Sequence, residues 1–428
     1  MRKLIAITAA LCLAVPFVFA GASQEGSGSS SGTPQTVTLK VASWTVVEKG
    51  TQEYLMNLQS EFEKANPGIK IEWVGLPYGS YKQQLLVMAQ AGELPDVLQA
   101  ERSMFSAFTG PGYLADLGAV LPKDYVADIA PALKDDLTID GTLYATPWLY
   151  SGFVLYYNKD LFSKAGLDPT KPPKSYEEAL AYAEKLSKLK DADGNTVYGL
   201  GISTASVPVS GSSLLSMFAS FGGGIWDASG QVNFNRPGNI AALAYLKDLN
   251  DRAYNPAGSK LKDLRNLFAI GRLGMYFDQL WGLNGVLAIN PAAKNFAAAY
   301  LPLGSGKNPP RSTLEAHLLL ISKTSKHPQE AAKFIEFVTS GPQLAKYFPI
   351  SPFVPGRTSI AANPDFANQP LIAGLKGLDS TIFSVPKNPK IEAALLELAS
   401  AAQLVIGGQG SPSEVAASTN AKLKDILQ

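Results

Sequence analysis

Residues 36–100 read TVTLKVASWTVVEKGTQEYLMNLQSEFEKANPGIKIEWVGLPYGSYKQQLLVMAQAGELPDVLQA. Positions 38–43 form a β-rich run carrying Leu39 and Val41, and Thr51 then stands where a helix cap belongs. Tyr54, Leu55, Leu58 and Phe62 fall on one face at helical spacing, and Asn66, Pro67 and Gly68 stop the helix. Positions 70–74 read as the next strand, 81–91 as a helix closed by Gly92, and 96–99 as a third strand. The order β-α-β-α-β predicts a parallel sheet with helices on its faces. Ligands of such sheets collect beyond the carboxyl ends of the strands, which here are 44–49, the loop around Tyr78 and 99–102.

Toward the amino end, 23–34 is Gly/Ser-rich and almost free of charge, the composition of a flexible tether. Before it, Arg2 and Lys3 precede an apolar stretch over 4–19, and Ala20, Gly21 and Ala22 follow. Charge, apolar segment and small residues in that order predict a secretory signal over 1–22. The apolar run is shorter than the ~20 residues of a spanning helix and contains Pro16. Cys12 lacks the small residue that usually precedes a lipid-attachment cysteine, so it is expected to leave with the signal.

The whole chain has 428 residues, 46 % apolar and 17 % charged, a globular composition long enough for two or three domains. Lys+Arg 37 against Asp+Glu 36, with no polybasic run, excludes an electrostatic nucleic-acid binder. One Cys and two His exclude zinc fingers, iron–sulfur clusters and cysteine hydrolases. After the signal is removed no cysteine remains, so core burial alone must stabilise the fold.

Toward the carboxyl end, 153–157 and 318–322 are continuous apolar runs, the second followed by a helix over 329–339. The first lies where one α/β set ends and another begins. DADGN at 191–195 echoes a calcium loop, but its Gly falls at the fourth position and no Glu occupies the twelfth, so it reads as a turn. The triplet Gly222, Gly223, Gly224 lacks the flanking pattern of a phosphate loop.

Several strings in order resemble the extracellular solute-binding proteins of bacterial ABC importers, in the carbohydrate-binding branch that includes maltose-binding protein. They are FEKANPGIKIEWV (62–74), GELPDVLQA (92–100), DGTLYATPWLYSGFVLYYNKDLFSKAGLD (140–168), PPKSYEEALAYAEKL (172–186), DADGNTVYGLG (191–201), FGGGIWDASGQVNFNRP (221–237), GRLGMYFDQLW (271–281) and LISKTSKHPQEAAKFIEFV (320–338). The resemblance implies an α/β, two-lobed periplasmic-binding-protein fold of type II-like arrangement. Each lobe would be a mainly parallel sheet flanked by helices, and a multi-strand hinge would join them. Lobe one would hold 36–153 and 319–350, and lobe two 154–318 and 351–428, with 23–35 as tether. It further implies a periplasmic monomer without cofactor that captures a sugar or oligosaccharide and passes it to membrane permease subunits.

A pyranose offers apolar C–H faces and a rim of hydroxyls, so its site needs flat aromatics beside charged and amide groups. Trp281 occupies the position of a stacking Trp in the maltose-binding branch, with Asp278 as the carboxylate of the same segment. Trp148, Tyr150 and Trp226 are further aromatic candidates, each set against ordinary core burial. By the same resemblance Glu48 and Lys49 contact sugar hydroxyls, and Glu101 with Arg102 forks onto vicinal ones or pairs in solvent. Val46 and Val47, and the lack of a carboxylate over 147–152, depart from the branch and argue against maltose itself. His317 shares a side with Glu315 if that run is extended, and Arg357 sits where the family returns a loop toward the cleft.

Two other readings stand beside this one. A secreted glycoside hydrolase would need two carboxyl groups ~5–9.5 Å apart. The literal G-x-S-x-G match at 28–32 lies in the tether, with no strand before it, and no repeats point to an adhesin. A receptor for a non-sugar solute is the remaining alternative.

Overall fold

The computed structural model describes residues 36–304, 308–373, 375 and 378–428, so the expected signal and tether lie outside the described residues. Strand β1 (Val37–Ser43) leads through a loop to helix α1 (Gln52–Ala65), which buries Tyr54, Leu55, Leu58 and Phe62 as its spacing dictates. Strand β2 (Ile69–Gly75), helix α2 (Tyr78–Ala91) and strand β3 (Val97–Glu101) follow. Gly92 closes α2 in the left-handed region at φ 74°, where a residue without Cβ carries no steric penalty. Thr51 sits at the amino end of α1, but its hydroxyl makes no cap. It donates instead to the Thr45 carbonyl at 2.6 Å, which fastens the loop after β1.

Strands β4 (Thr146–Ser151) and β5 (Phe153–Asn158) are separated by Gly152 alone, yet they belong to different sheets. Helix α3 (Tyr176–Leu186), strand β6 (Tyr198–Gly201) and helices α4 (Pro208–Ser220), α5 (Pro237–Asp251) and α6 (Leu261–Ala269) come next. Strand β7 (Leu273–Gln279), helix α7 (Gly282–Ile289) and strand β8 (Phe296–Ala299) complete the second sheet. The chain then returns through β9 (Glu315–Ile321), helix α8 (Pro328–Val338) and β10 (Val354–Pro355), and ends in α9 (Ile391–Ile406) and α10 (Pro412–Leu427).

The first sheet has the order β10-β4-β9-β3-β1-β2 and the second β8-β5-β7-β6. In the first, β2 and β3 pair parallel to β1, while β9 pairs antiparallel to both β3 and β4, and β10 antiparallel to β4. Hence β1, β2, β3 and β4 point one way. In the second, β6 is parallel to β7, and β5 is antiparallel to both β7 and β8. Two of the reversed strands share one cause. Strands β5 and β9 enter their sheets directly from the other body, so they begin where the others end. The carboxyl ends of β1, β3, β4, β6 and β7 therefore converge on the starts of β5 and β9.

Each sheet has its own core. Leu39, Phe62, Val97, Leu149, Leu320 and Phe334 belong to the first, and Phe153, Leu200, Phe218, Leu246, Met275 and Leu398 to the second. At the crossing, a Cβ on Gly152 would stand 2.7 Å from Ser312 Oγ, and that hydroxyl accepts the Phe153 amide at 2.5 Å. A larger residue would push these strands apart. In DADGN the Asp191 carboxylate accepts the amides of Asp193 and Asn195, with Gly194 at φ 80°, the turn expected from sequence.

Candidate functional site

A cleft of ≈ 370 Å³ opens where the strand ends meet. Tyr78, Lys82, Glu101 and Arg102 line it from the first body, and Val207, Ser212, Glu392 and Leu395 from helices packed on the second. Glu315, at the start of β9, completes the wall. Its carboxylate accepts from Ser212 and, at 3.0 Å, from Thr313, while burial raises its pKa.

Loop 44–49 is built by hydroxyls around one amide. Ser43 and Thr45 donate to Gln99 Oε1 at 2.6 and 3.1 Å, and Thr51 grips Thr45 from behind. This brings Trp44 inward, 3 % exposed, edge-on to Tyr78 and Tyr81. Glu48 and Lys49 remain exposed. The protein around Glu48 raises its carboxyl pKa, and the Arg265 cation pulls it the other way.

Glu101 accepts from the Tyr78 hydroxyl at 2.8 Å. Burial, followed by repulsion from Glu315 and Glu48, pushes its pKa up to about 7 against the two hydrogen bonds that favour its charge. His317 lies opposite Glu101 in the β3–β9 register. Its ring packs between Trp44 (centroids 5.1 Å) and Trp281 (4.7 Å), is 8 % exposed, and is held neutral by burial with a pKa near about 3. Trp281, at the amino end of α7, is partly buried against the first core although its chain segment leaves β7 of the second sheet.

Of the sequence candidates, Glu101 and Arg102 stand on the cleft wall, His317 packs on Trp281 and lies opposite Glu101, and Glu48 and Lys49 are exposed on the loop after β1. Arg102, however, is not paired with Glu101. It forms a two-pronged pair with Asp136 at 2.8 and 2.7 Å and donates to the Val385 carbonyl, a residue of the second core. Lys82 likewise pairs with Glu392 across the cleft.

The other candidates have structural partners. Asp278 is fully buried, and Arg265 occupies both of its oxygens at 2.6 and 2.7 Å. A Cβ on Gly282 would collide with that carboxylate. Trp148 stacks on Tyr347 (5.1 Å, 12°) inside the first core, and Tyr150 is buried beside it in β4. Trp226 bridges to Val232 in a turn, where its carbonyl accepts from Arg236. Arg357 pairs with Asp128 at 3.0 Å and lies 4.6 Å over the Tyr125 ring. Lys82, Ser212, Gln279, Glu392 and Trp44 were not among the sequence candidates. Only Trp44 carried a signal, as the aromatic residue immediately after a strand whose carboxyl end faces the site.

Two α/β bodies, joined where the chain passes from one sheet to the other and facing each other across a cleft lined by charged and apolar side chains with Tyr78, define a solute receptor of the binding-protein class. The comparisons specify it further: residues 57–374 match the model of the bacterial extracellular solute-binding protein family, and the chain belongs to that family. It is 25 % identical over 382 residues to a putative binding protein of Brucella abortus, covering 88 % of this chain and 90 % of that one. It is 27 % identical over 365 residues to the arabinooligosaccharide-binding protein of Bacillus subtilis, covering 79 % and 76 %. Maltose-bound MalE3 of T. maritima superposes with a TM-score of 0.80 at 26 % identity, over 92 % of this chain and 100 % of that one. A Thermotoga lettingae solute-binding protein solved with alpha-D-tagatose gives 0.82 at 24 % identity and the same coverage, which is a likeness of fold. These relatives are binding proteins rather than enzymes. Among the described residues no helix is long and apolar enough to cross a membrane.

Proposed function

We propose that this protein is the extracytoplasmic receptor of an ABC importer, capturing a sugar or oligosaccharide in the cleft and delivering it to a membrane permease. The observation that carries this is the make-up of the cleft at the converging strand ends. The carboxylates of Glu101 and Glu315 can accept hydrogen bonds from hydroxyls, and the Tyr78 ring offers a flat surface to a pyranose. The names of relatives that bind arabinooligosaccharides and maltotriose support the ligand class. In this reading the protein performs no reaction, works as a monomer, and reaches the periplasm through a signal peptide that is removed from the mature chain.

The lobes of the proposal are those expected from sequence, 36–153 with 319–350 and 154–318 with 351–428, except that all of β9 and β10 go with the first, in whose sheet they pair. Ligand would draw them together by rotation about β5 and β9 and the segment before β10. Differential scanning fluorimetry against a carbohydrate library tests the assignment, because ligand at about 100 times its Kd stabilises the fold by about 2.7 kcal/mol. Stabilisation by amino acids or polyamines, with none by sugars, would keep the receptor and remove the carbohydrate. Release of shortened products from oligosaccharides would make the protein a hydrolase instead.

A further inference from the structure

The cations of the cleft are paired, and two of its carboxylates, Glu101 and Glu315, form no ion pair among the described residues. Arg102 is taken by Asp136, Arg265 by Asp278 and Lys82 by Glu392. That leaves Glu101 and Glu315, which both line the cleft and repel each other. Among the described residues no group of three His, Cys, Asp or Glu side chains is arranged to hold a metal ion. Two buried polar atoms lie beside the carboxylates without a partner. Gln279, 3 % exposed, bonds to Glu315 through its side chain and keeps Oε1 unpaired. His317 keeps Nδ1 unpaired between Trp44 and Trp281. Buried polar atoms seldom stay unpaired, and the Gln279 oxygen, which can only accept, points to a hydrogen-bond donor brought by a ligand. The aromatic face of Tyr78, on the cleft wall, attracts cations through the ring quadrupole, in the same sense as the carboxylates.

We propose that the cleft ligand carries a protonated amine, and that it is an amino sugar held by Glu101 and Glu315 against the ring of Tyr78. This rests on the sugar-receptor reading and narrows it. An ammonium group brings up to three donors and relieves the repulsion among the carboxylates, which a neutral hydroxyl does only in part. A uronate would add a further negative charge beside Glu101 and Glu315 and is rejected.

The test is calorimetry and thermal shift near neutral pH with matched disaccharides of each linkage: the neutral hexose form, the 2-amino-2-deoxy form and the uronate form. The amino member should bind at least about tenfold more tightly than the neutral one, a difference of about 1.4 kcal/mol, and the uronate should not bind. Glu101→Gln and Glu315→Gln should each cut that preference severalfold. Neutral members that bind as tightly as the amino ones, or a preference untouched in both variants, would overturn the proposal and leave the sugar receptor standing. No shift with any sugar would remove both.

Discussion

Replacing Asp136 by Ala strands the Arg102 guanidinium in a dry place. The two side chains are only 9 % and 5 % exposed, and two hydrogen bonds of 2.8 and 2.7 Å join them. Breaking a buried pair on one side costs about 3–5 kcal/mol, because the surviving charge has no solvent to turn to. If the roughly 390 residues from Thr36 to Gln428 unfold together, an unfolding entropy of about 2.1 cal/mol/K per residue turns that cost into a fall of about 4–6 °C in Tm. The double variant Arg102→Met with Asp136→Leu removes both charges and fills the space with apolar atoms, so it should lose less than Asp136→Ala alone. Scanning calorimetry of the three proteins reads this directly. A Tm for Asp136→Ala within about 1 °C of the parent, or a double variant that falls further than the single one, would refute a buried pair acting as a unit.

Glu101 and His317, opposite each other across two strands, should give opposing pH slopes. The Glu101 pKa is raised from 4.5 to about 7 on folding, so the native state holds the extra proton and stability falls as pH rises through that window. The His317 pKa is lowered from 6.5 to about 3, so the unfolded state holds the proton and stability falls as pH drops below 6.5. Glu101→Gln should therefore remove the loss on the alkaline side and His317→Gln the loss on the acid side, measured by urea unfolding at a series of pH values. Trp281→Ala should weaken ligand binding by ~1–3 kcal/mol in calorimetry, the scale of a lost aromatic stacking contact. Unchanged affinity would return the ring to a packing role against His317. Gly211→Ala should destabilise by about 1–3 kcal/mol in urea unfolding, since its Cβ would strike the Leu395 backbone where α4 and α9 cross.

The first body was legible because its elements are amphipathic and punctuated. Tyr54, Leu55, Leu58 and Phe62 announce α1, and Gly92 announces the end of α2. The convergence of strand exits could also be read, since it follows from β-α-β order, and Trp44, Glu48 and Glu101 lie at those exits. What sequence could not supply was partner choice. Glu101 and Arg102 are neighbours in the chain, but on leaving β3 the guanidinium turns to Asp136, 34 residues away. Asp278 belongs to a matching segment and ends in a strand, but Arg265, 13 residues earlier, claims it. Lys82 and Glu392 stand 310 positions apart, a pairing that no local pattern encodes.

Strand β9 lies between β3 and β4 in the middle of the first sheet, although about 160 residues separate it from the end of β4. A chain emerging amino end first, from a ribosome or through a membrane pore, therefore presents β1 to β4 long before the strand that joins β3 to β4 exists. Until residue 321 is free, those two strands carry unpaired edges and half a core, which is a state prone to rearrange or to be held by a chaperone. Closing so long a loop also delays the commitment to native structure. The placement of one strand thus keeps the chain unfolded, and able to be threaded, until three quarters of it has passed.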